Sequence, residues 1–360
     1  MIRQVMMRAR NCINLGIGEP DFFAPEVIRE EAHRILEKEK IGYSPTAGIP
    51  ELCQEILSYH GNLPNHSVCV TNGSQEALFD LILSLIQKGD EVLVPNPGFP
   101  AYPTVVKIAG GVPVVYPLRH ENNFQLDEEE LLSLVNSRTR CIILVSPSNP
   151  TGQCLTSEQM KFVSQLAEDK NLVVISDEIY REIHYTPEKP SSICQFTDRA
   201  VILSGMSKMA SMTGWRLGYG IFPDFLVEDI TKLMTNSVSC TSVFSQMAAI
   251  AALEGSREFT INMMEKFKIR RDIIVNGLNS IEGVTCRTPL GAFYAFPNIS
   301  GTGLSSSDFA DIALNEYGVA LLSGTAFGEY GDNYIRISFA NSEENLLKAI
   351  DRLNDMIKKL

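Results

Sequence analysis

Between residues 68 and 203, five short apolar runs each end in a turn rich in glycine, proline or small polar residues. They are Val68 to Thr71, Glu91 to Val94, Thr139 to Val145, Leu172 to Asp177 and Ala200 to Leu203. Thr139 to Val145 is apolar nearly throughout, the pattern of a strand covered on both faces. Helical stretches separate the runs, Glu76 to Gln87 and Ser157 to Lys170 among them. Strands alternating with helices at this spacing specify an α/β fold with a doubly wound, mostly parallel sheet in a three-layer αβα arrangement. Such sheets bind ligands beyond the carboxyl ends of their strands. The loops after the five runs are therefore where chemistry is expected.

A chain of 360 residues has a length prior of about two domains. After two further helices, Ser242 to Glu254 and Glu258 to Asn279, the remainder from Val284 alternates short strands with helices at Ser306 to Tyr317 and Ser342 to Lys358. It reads as a smaller α+β lobe. The expected division is a large domain over 30–265 and a small domain made of 1–29 with 266–360.

Composition removes several function classes. A net charge of -12 argues against nucleic acid or an anionic membrane as partner, since both select clustered Lys and Arg. The longest apolar stretch, Met247 to Leu253, is far too short to cross a bilayer. Met1 to Asn11 has no apolar core of the kind a secretory leader needs. Eight cysteines without a CxxC pair fit reduced thiols in the cytoplasm, and the five histidines show no ligand spacing, so no metal site is expected.

The loops supply the candidate groups. Lys208 follows Ala200 to Leu203 and is flanked by Ser204, Ser207, Ser211 and Thr213, with Arg216 beside the only tryptophan, Trp215. Burial lowers an ammonium pKa, so this lysine can act as an amine. An amine with a nearby cation and hydroxyls suits a phosphorylated carbonyl cofactor, although a lone Ser-Lys pair more often marks a surface loop. Gly73, Ser74 and Gln75 carry a strand into a helix, where free amides and the helix dipole favour an anion. The stretch is neither a P-loop nor a GxGxxG fingerprint. Phe99 and Tyr102 lie in a proline-stiffened loop that would hold a planar ligand or plug a core edge. Asn149 is the polar residue best placed in the Ser146 to Gly152 loop. Asp177 ends a buried strand, with Tyr180 three residues on; a carboxylate there needs a cationic or hydrogen-bonded partner, and a protonated pyridine nitrogen would serve. Upstream, Gly16 and Gly18 leave backbone unshielded. Tyr43 is either core or ligand, and Arg336, in the apolar run Tyr334 to Ala340, is either a surface charge or an inward ligand group.

Taken together and in order, seven segments resemble the class I/II aminotransferases, fold-type I enzymes that use pyridoxal 5'-phosphate (PLP). They are Gly-Ile-Gly-Glu-Pro-Asp-Phe, Tyr43 to Leu52, Thr-Asn-Gly-Ser-Gln, Ser-Pro-Ser-Asn-Pro-Thr-Gly, Ser-Asp-Glu-Ile-Tyr, Ser-Lys followed by Arg-Leu-Gly, and Tyr-Ile-Arg-Ile-Ser-Phe-Ala. The resemblance covers nearly the whole chain and implies a seven-stranded sheet. It implies Lys208 as the amine carrying PLP, Asp177 on the ring nitrogen, Tyr180 and Asn149 on the ring oxygen, and Phe99 stacked on the ring. Gly73, Ser74, Gln75, Ser204, Ser207 and Arg216 would surround the phosphate, with Tyr43 reaching it from the second subunit of a homodimer. Arg336 would hold the substrate carboxylate, with Asn149 nearby and the Gly18 region closing over it. The implied activity is amino transfer from an L-amino acid to a 2-oxo acid, with 2-oxoglutarate the expected acceptor. A PLP-dependent carbon-sulfur β-lyase and a non-catalytic effector-binding module are the alternatives.

Overall fold

The computed structural model describes residues 12–360; Met1 to Asn11, judged above for a secretory leader, lies outside the described residues. After a two-residue strand β1 (Ile13–Asn14), the main sheet is built from β2 (His66–Thr71), β3 (Glu91–Asn96), β4 (Val112–Pro117), β5 (Thr139–Val145), β6 (Val173–Asp177), β7 (Ala200–Gly205) and β8 (Gly218–Pro223). Their order across the sheet is β2-β8-β7-β6-β5-β3-β4. From β7 through to β4 every pairing is parallel, whereas β8 runs antiparallel to both its neighbours. The expected seven-stranded, mostly parallel sheet is present.

Side chains alternate between two apolar layers, as strand geometry requires. Ile142, Leu144, Val174 and Ile202 enter one layer, and Cys141, Ile143, Val145, Ile175 and Leu203 enter the other. Each buried Val, Ile or Leu contributes about 1.5–3 kcal/mol, and both faces are used because helices cover both. Two strands went unread in the sequence. β4 contains two prolines, which an edge strand tolerates, and β4 is an edge. β8, Gly-Tyr-Gly-Ile-Phe-Pro, is too rich in glycine to look like a strand.

Local signals set most helix starts. Ser157–Lys170 opens on a capping box between Thr156 and Gln159, and Pro50–Tyr59 has proline at its first turn. The helix after β2 is Ser74–Leu85, two residues earlier than expected, because Gly73 at φ +87° turns the chain directly into it. Ser74 and Gln75 therefore occupy the first helical positions, whose amides have no partner within the helix.

A second core gathers Leu15, Met263, Phe267, Phe293, Ile337 and Leu353. It is framed by the helices Arg257–Asn279 and Glu343–Lys358 and by β9 (Tyr294–Ala295), β10 (Val319–Ala320), β11 (Leu322–Ser323) and β12 (Ile335–Ser338). β1 pairs in parallel with β10, which ties the leading segment to the C-terminal lobe. Tyr180 and Ile183, from the loop after β6, also pack into this second core, so the loops of the main sheet face the lobe across a cleft. Among the described residues, no helix is long and apolar enough to cross a membrane, and no group of three or more His, Cys, Asp or Glu could hold a metal ion.

Candidate active site

The cleft, of about 290 Å³, lies beyond the carboxyl ends of β5, β6 and β7. It is lined by Gly18, Gly73, Ser74, Gln75, Phe99, Asn149, Asp177, Tyr180, Ser207, Lys208, Arg216 and Arg336. The structure thus brings together twelve of the fourteen residues singled out in the sequence. It does not bring Ser204 there. β7 continues to Gly205, past the expected end at Leu203, so Ser204 is a strand residue paired in register with Tyr219. Tyr43 does not reach the cleft of its own chain either and is 94% exposed.

Asp177 stands at the cleft floor. Its Oδ2 accepts from the Tyr102 hydroxyl at 2.8 Å and its Oδ1 from the Ile179 amide at 3.2 Å. Burial pushes its pKa above the ordinary value, while those two donors and the charge of Lys208 pull it back. Lys208 Nζ donates to the Gly18 carbonyl at 2.6 Å. Burial lowers its pKa to about 8; Arg336 and Arg216 push the same way, and Glu19 and Asp177 oppose them. An amine so placed loses its proton readily near neutral pH.

Arg336 is buried at 4% exposure. It donates through Nη1 to Asn149 Oδ1 at 3.2 Å and through Nη2 to the Gly16 carbonyl at 2.6 Å. Its guanidinium carbon lies 4.5 Å from the Tyr294 ring centroid, while its Nε is buried without a hydrogen-bond partner. A buried donor left unpaired is costly, so this edge of the fork is suited to an anion. Arg216 sits in the left-handed region at φ 53° and donates to the carbonyls of Thr213 at 2.9 Å and Asn72 at 3.1 Å. A Cβ on Gly73 would stand 2.3 Å from Arg216 Nη2, and one on Gly18 would stand 2.2 Å from the Tyr294 hydroxyl. A side chain at either position would displace these groups, and at Gly73 the φ of +87° already disfavours one.

A family profile described as Aminotransferase class I and II matches residues 10–353. The chain belongs to this family. An aspartate aminotransferase of Pyrococcus horikoshii is 38% identical over 368 residues, covering 99% of this chain and 94% of the relative. A probable aspartate aminotransferase of Methanocaldococcus jannaschii is 40% identical, covering 99% and 96%. The solved structure of an aromatic aminotransferase from Pyrococcus horikoshii matches with a TM-score of 0.93 at 34% identity, covering 100% of this chain and 99% of that one. The protein is an aminotransferase, and its mixed seven-stranded sheet with flanking helices is the fold of the aspartate aminotransferases. The names of these relatives divide between aspartate and aromatic donors, so membership leaves the donor side chain open.

Two cleft residues of this aminotransferase escaped the sequence reading as site partners. Tyr102 holds Asp177, as described, and Tyr294 shares a hydrogen bond with the Tyr180 hydroxyl at 2.7 Å. Tyr102 carried a weak signal as a loop aromatic. Tyr294 lies in the apolar run Ala292 to Phe296, where nothing local separates a site tyrosine from a core one.

Proposed function

We propose that this aminotransferase holds PLP in the cleft with Lys208 as the amine that carries it, and moves amino groups from L-amino acids to 2-oxo acids, 2-oxoglutarate among them. The observation that carries this reading is the convergence of a low-pKa lysine, a buried carboxylate and a buried guanidinium on one cleft. The donor set fits the cofactor. Asp177 has two uncharged hydrogen-bond donors, so a pyridinium nitrogen would complete it. The free amides of Ser74 and Gln75, the Ser207 hydroxyl and Arg216 form a cradle for a phosphate. Asn149 and Tyr180 would meet the ring oxygen, and Phe99 would lie on the ring face.

When bound, the cofactor supplies a carbon that takes up the amino group and a ring that accepts the electron pair left when the donor loses its Cα proton. The protein's share is position and proton traffic. Arg336, held by Asn149 and Gly16, offers Nε and the remaining Nη2 proton as a planar fork for the substrate carboxylate. That grip would turn the Cα–H bond toward Lys208, whose amine would take and hold the proton at Nζ. Asp177 would hold a protonated ring nitrogen by charge. Purified protein mixed with PLP is expected to gain a visible absorbance, an amino donor alone to discharge it with release of one oxo acid, and 2-oxoglutarate to restore it. Protein that gains no absorbance would refute the reading.

Arg336→Met removes two charge-assisted hydrogen bonds, each worth roughly 1.5–3 kcal/mol. The KM values for donor and acceptor are expected to rise on the order of 100- to 10,000-fold at about 1.4 kcal/mol per decade. Unchanged KM values in steady-state assays would show that the carboxylate binds elsewhere.

We further propose a homodimer in the cytoplasm, with large domain 30–265 and small domain 1–29 plus 266–360. Tyr43 at 94% and Phe23 at 87% exposure are large aromatics in water, and an apolar groove is lined by Val27 of the leading helix with Val243, Met247 and Ile250 of the helix Val243–Gly255. Patches of this kind mark interfaces, and a partner seated there would bring Tyr43 to the second phosphate cradle. Light scattering is expected to give twice the chain mass, and Tyr43→Ala to weaken PLP binding about tenfold, the loss of one good hydrogen bond to a charged group. A monomer at micromolar concentration contradicts this.

A further inference from the structure

The segment that crosses the mouth of the cleft, Gly16 to Phe22, has no helix or strand. Two of its carbonyls nevertheless orient the two buried cations: Gly18 O accepts from Lys208, and Gly16 O from Arg336, both at 2.6 Å. A loop carbonyl can aim a side chain only if the loop itself is held. Upstream the hold is strand-like, with Leu15 N donating to Ala320 O at 2.8 Å and Ser338 N to Leu15 O at 2.7 Å. Downstream it falls to side chains. Thr213 Oγ1 donates to Glu19 Oε1 at 2.7 Å, and Arg270 Nη1 donates to Asp21 Oδ1 at 2.6 Å.

Arg270 is only 8% exposed and sits on the long helix Arg257–Asn279. Its guanidinium carbon is 5.1 Å from the Phe22 ring centroid and 5.8 Å from that of Phe267, and Phe22 meets Phe267 edge-on at 5.4 Å. Asp21 and Phe22 thus grip one patch of that helix, one by charge and one by its ring. A desolvated guanidinium with a single ion-pair carboxylate holds that carboxylate firmly, because losing it strands the charge. Neither Arg270 nor Asp21 lines the cleft, so neither is used by the chemistry derived above.

We propose that Arg270 is a positioning residue: through Asp21 it clamps the Gly16 to Phe22 segment onto the long helix, so that the Gly16 and Gly18 carbonyls aim Arg336 and Lys208. This rests on the reading of those two residues given above. The clamp couples the long helix to the orientation of both buried cations without touching substrate.

The test uses PLP-loaded wild type, Arg270→Met, Arg270→Lys and Asp21→Asn. Three quantities are compared: KM and kcat, the dissociation constants of succinate and 3-phenylpropionate (carboxylates that have no amine to transfer), and the melting temperature. Arg270→Met and Asp21→Asn are expected to raise KM and the carboxylate dissociation constants about tenfold, the scale of a small misplacement of a binding group. kcat falls less, the absorbance of bound PLP stays, and Arg270→Lys recovers most of the loss. KM and carboxylate binding within about twofold of wild type in both variants overturn the clamp, as does a lowered melting temperature with those constants unmoved. If Arg270→Met does not fold, Asp21→Asn carries the test, because that carboxylate is 31% exposed and its replacement is mild. A wild-type protein that binds PLP but transaminates no donor would fail at the site reading itself, before any variant is compared, and the clamp would fall with it.

Discussion

Lys208→Ala is expected to abolish the visible absorbance of the PLP-loaded protein and to lower turnover by at least about 10,000-fold, the upper range for loss of a positioned acid-base group. The absorbance goes because, among the described residues, no other amine lines the cleft. Turnover goes because, in the proposed function, the residue that receives the Cα proton is the same one. The lysine's environment adds a second result. With its pKa lowered to about 8 by burial, the amine becomes neutral as pH rises through that value, and only the neutral amine adds to an aldehyde. The rate at which cofactor-free protein captures PLP is therefore expected to climb with pH up to about 8 and then level off. Arg336 is one of the cations that push this pKa down, so Arg336→Met is expected to move the midpoint upward. Stopped-flow absorbance measures both. A Lys208→Ala protein that keeps the absorbance and the turnover would remove Lys208 from the mechanism.

Much of this site was legible in the sequence because its parts are local. Asn149 and Lys208 follow, and Asp177 ends, strands that announce themselves as apolar runs, and the Gly73 turn announces a helix start. Where local rules mislead, the structure differs. The left-handed Gly73 starts its helix two residues early, β7 runs long enough to claim Ser204 for the sheet, and β4 and β8 are disguised by proline and glycine. The pairings that aim the cleft groups were not legible, since each joins residues remote in the chain. Tyr102 and Asp177 are 75 residues apart, Tyr180 and Tyr294 are 114 apart, and Asp21 and Arg270 are 249 apart. No periodicity records which hydroxyl or guanidinium a buried carboxylate will meet; that is decided by how the lobe folds back over the sheet.

Asp177→Asn is expected to move two measurements in opposite directions. Breaking a buried ion pair costs roughly 3–5 kcal/mol, so without a carboxylate for the ring nitrogen turnover should fall about 100- to 10,000-fold at about 1.4 kcal/mol per decade. Asparagine keeps the shape and can still hydrogen-bond Tyr102, so the loss would report charge rather than packing. Cofactor-free protein should behave in the other way. Burial raises the Asp177 pKa above its ordinary value, so the fold favours the protonated acid. The stability tied to this group is full below the unfolded-state pKa and is lost as pH rises through the folded-state value. Above the folded-state pKa the ionised carboxylate is therefore a cost that asparagine removes, so the cofactor-free variant should melt above wild type there, with the gap shrinking as pH falls from the folded-state pKa to the unfolded-state value and closing below it. Tyr102→Phe provides the intermediate case. It takes away a hydroxyl that stabilises the carboxylate at 2.8 Å, raising the Asp177 pKa further and lowering turnover about tenfold, the worth of one hydrogen bond to a charged group. Asp177→Asn with near wild-type turnover would show that the reaction does not depend on a carboxylate at the ring nitrogen. A variant both inactive and less stable would mean that Asp177 holds the fold rather than the cofactor.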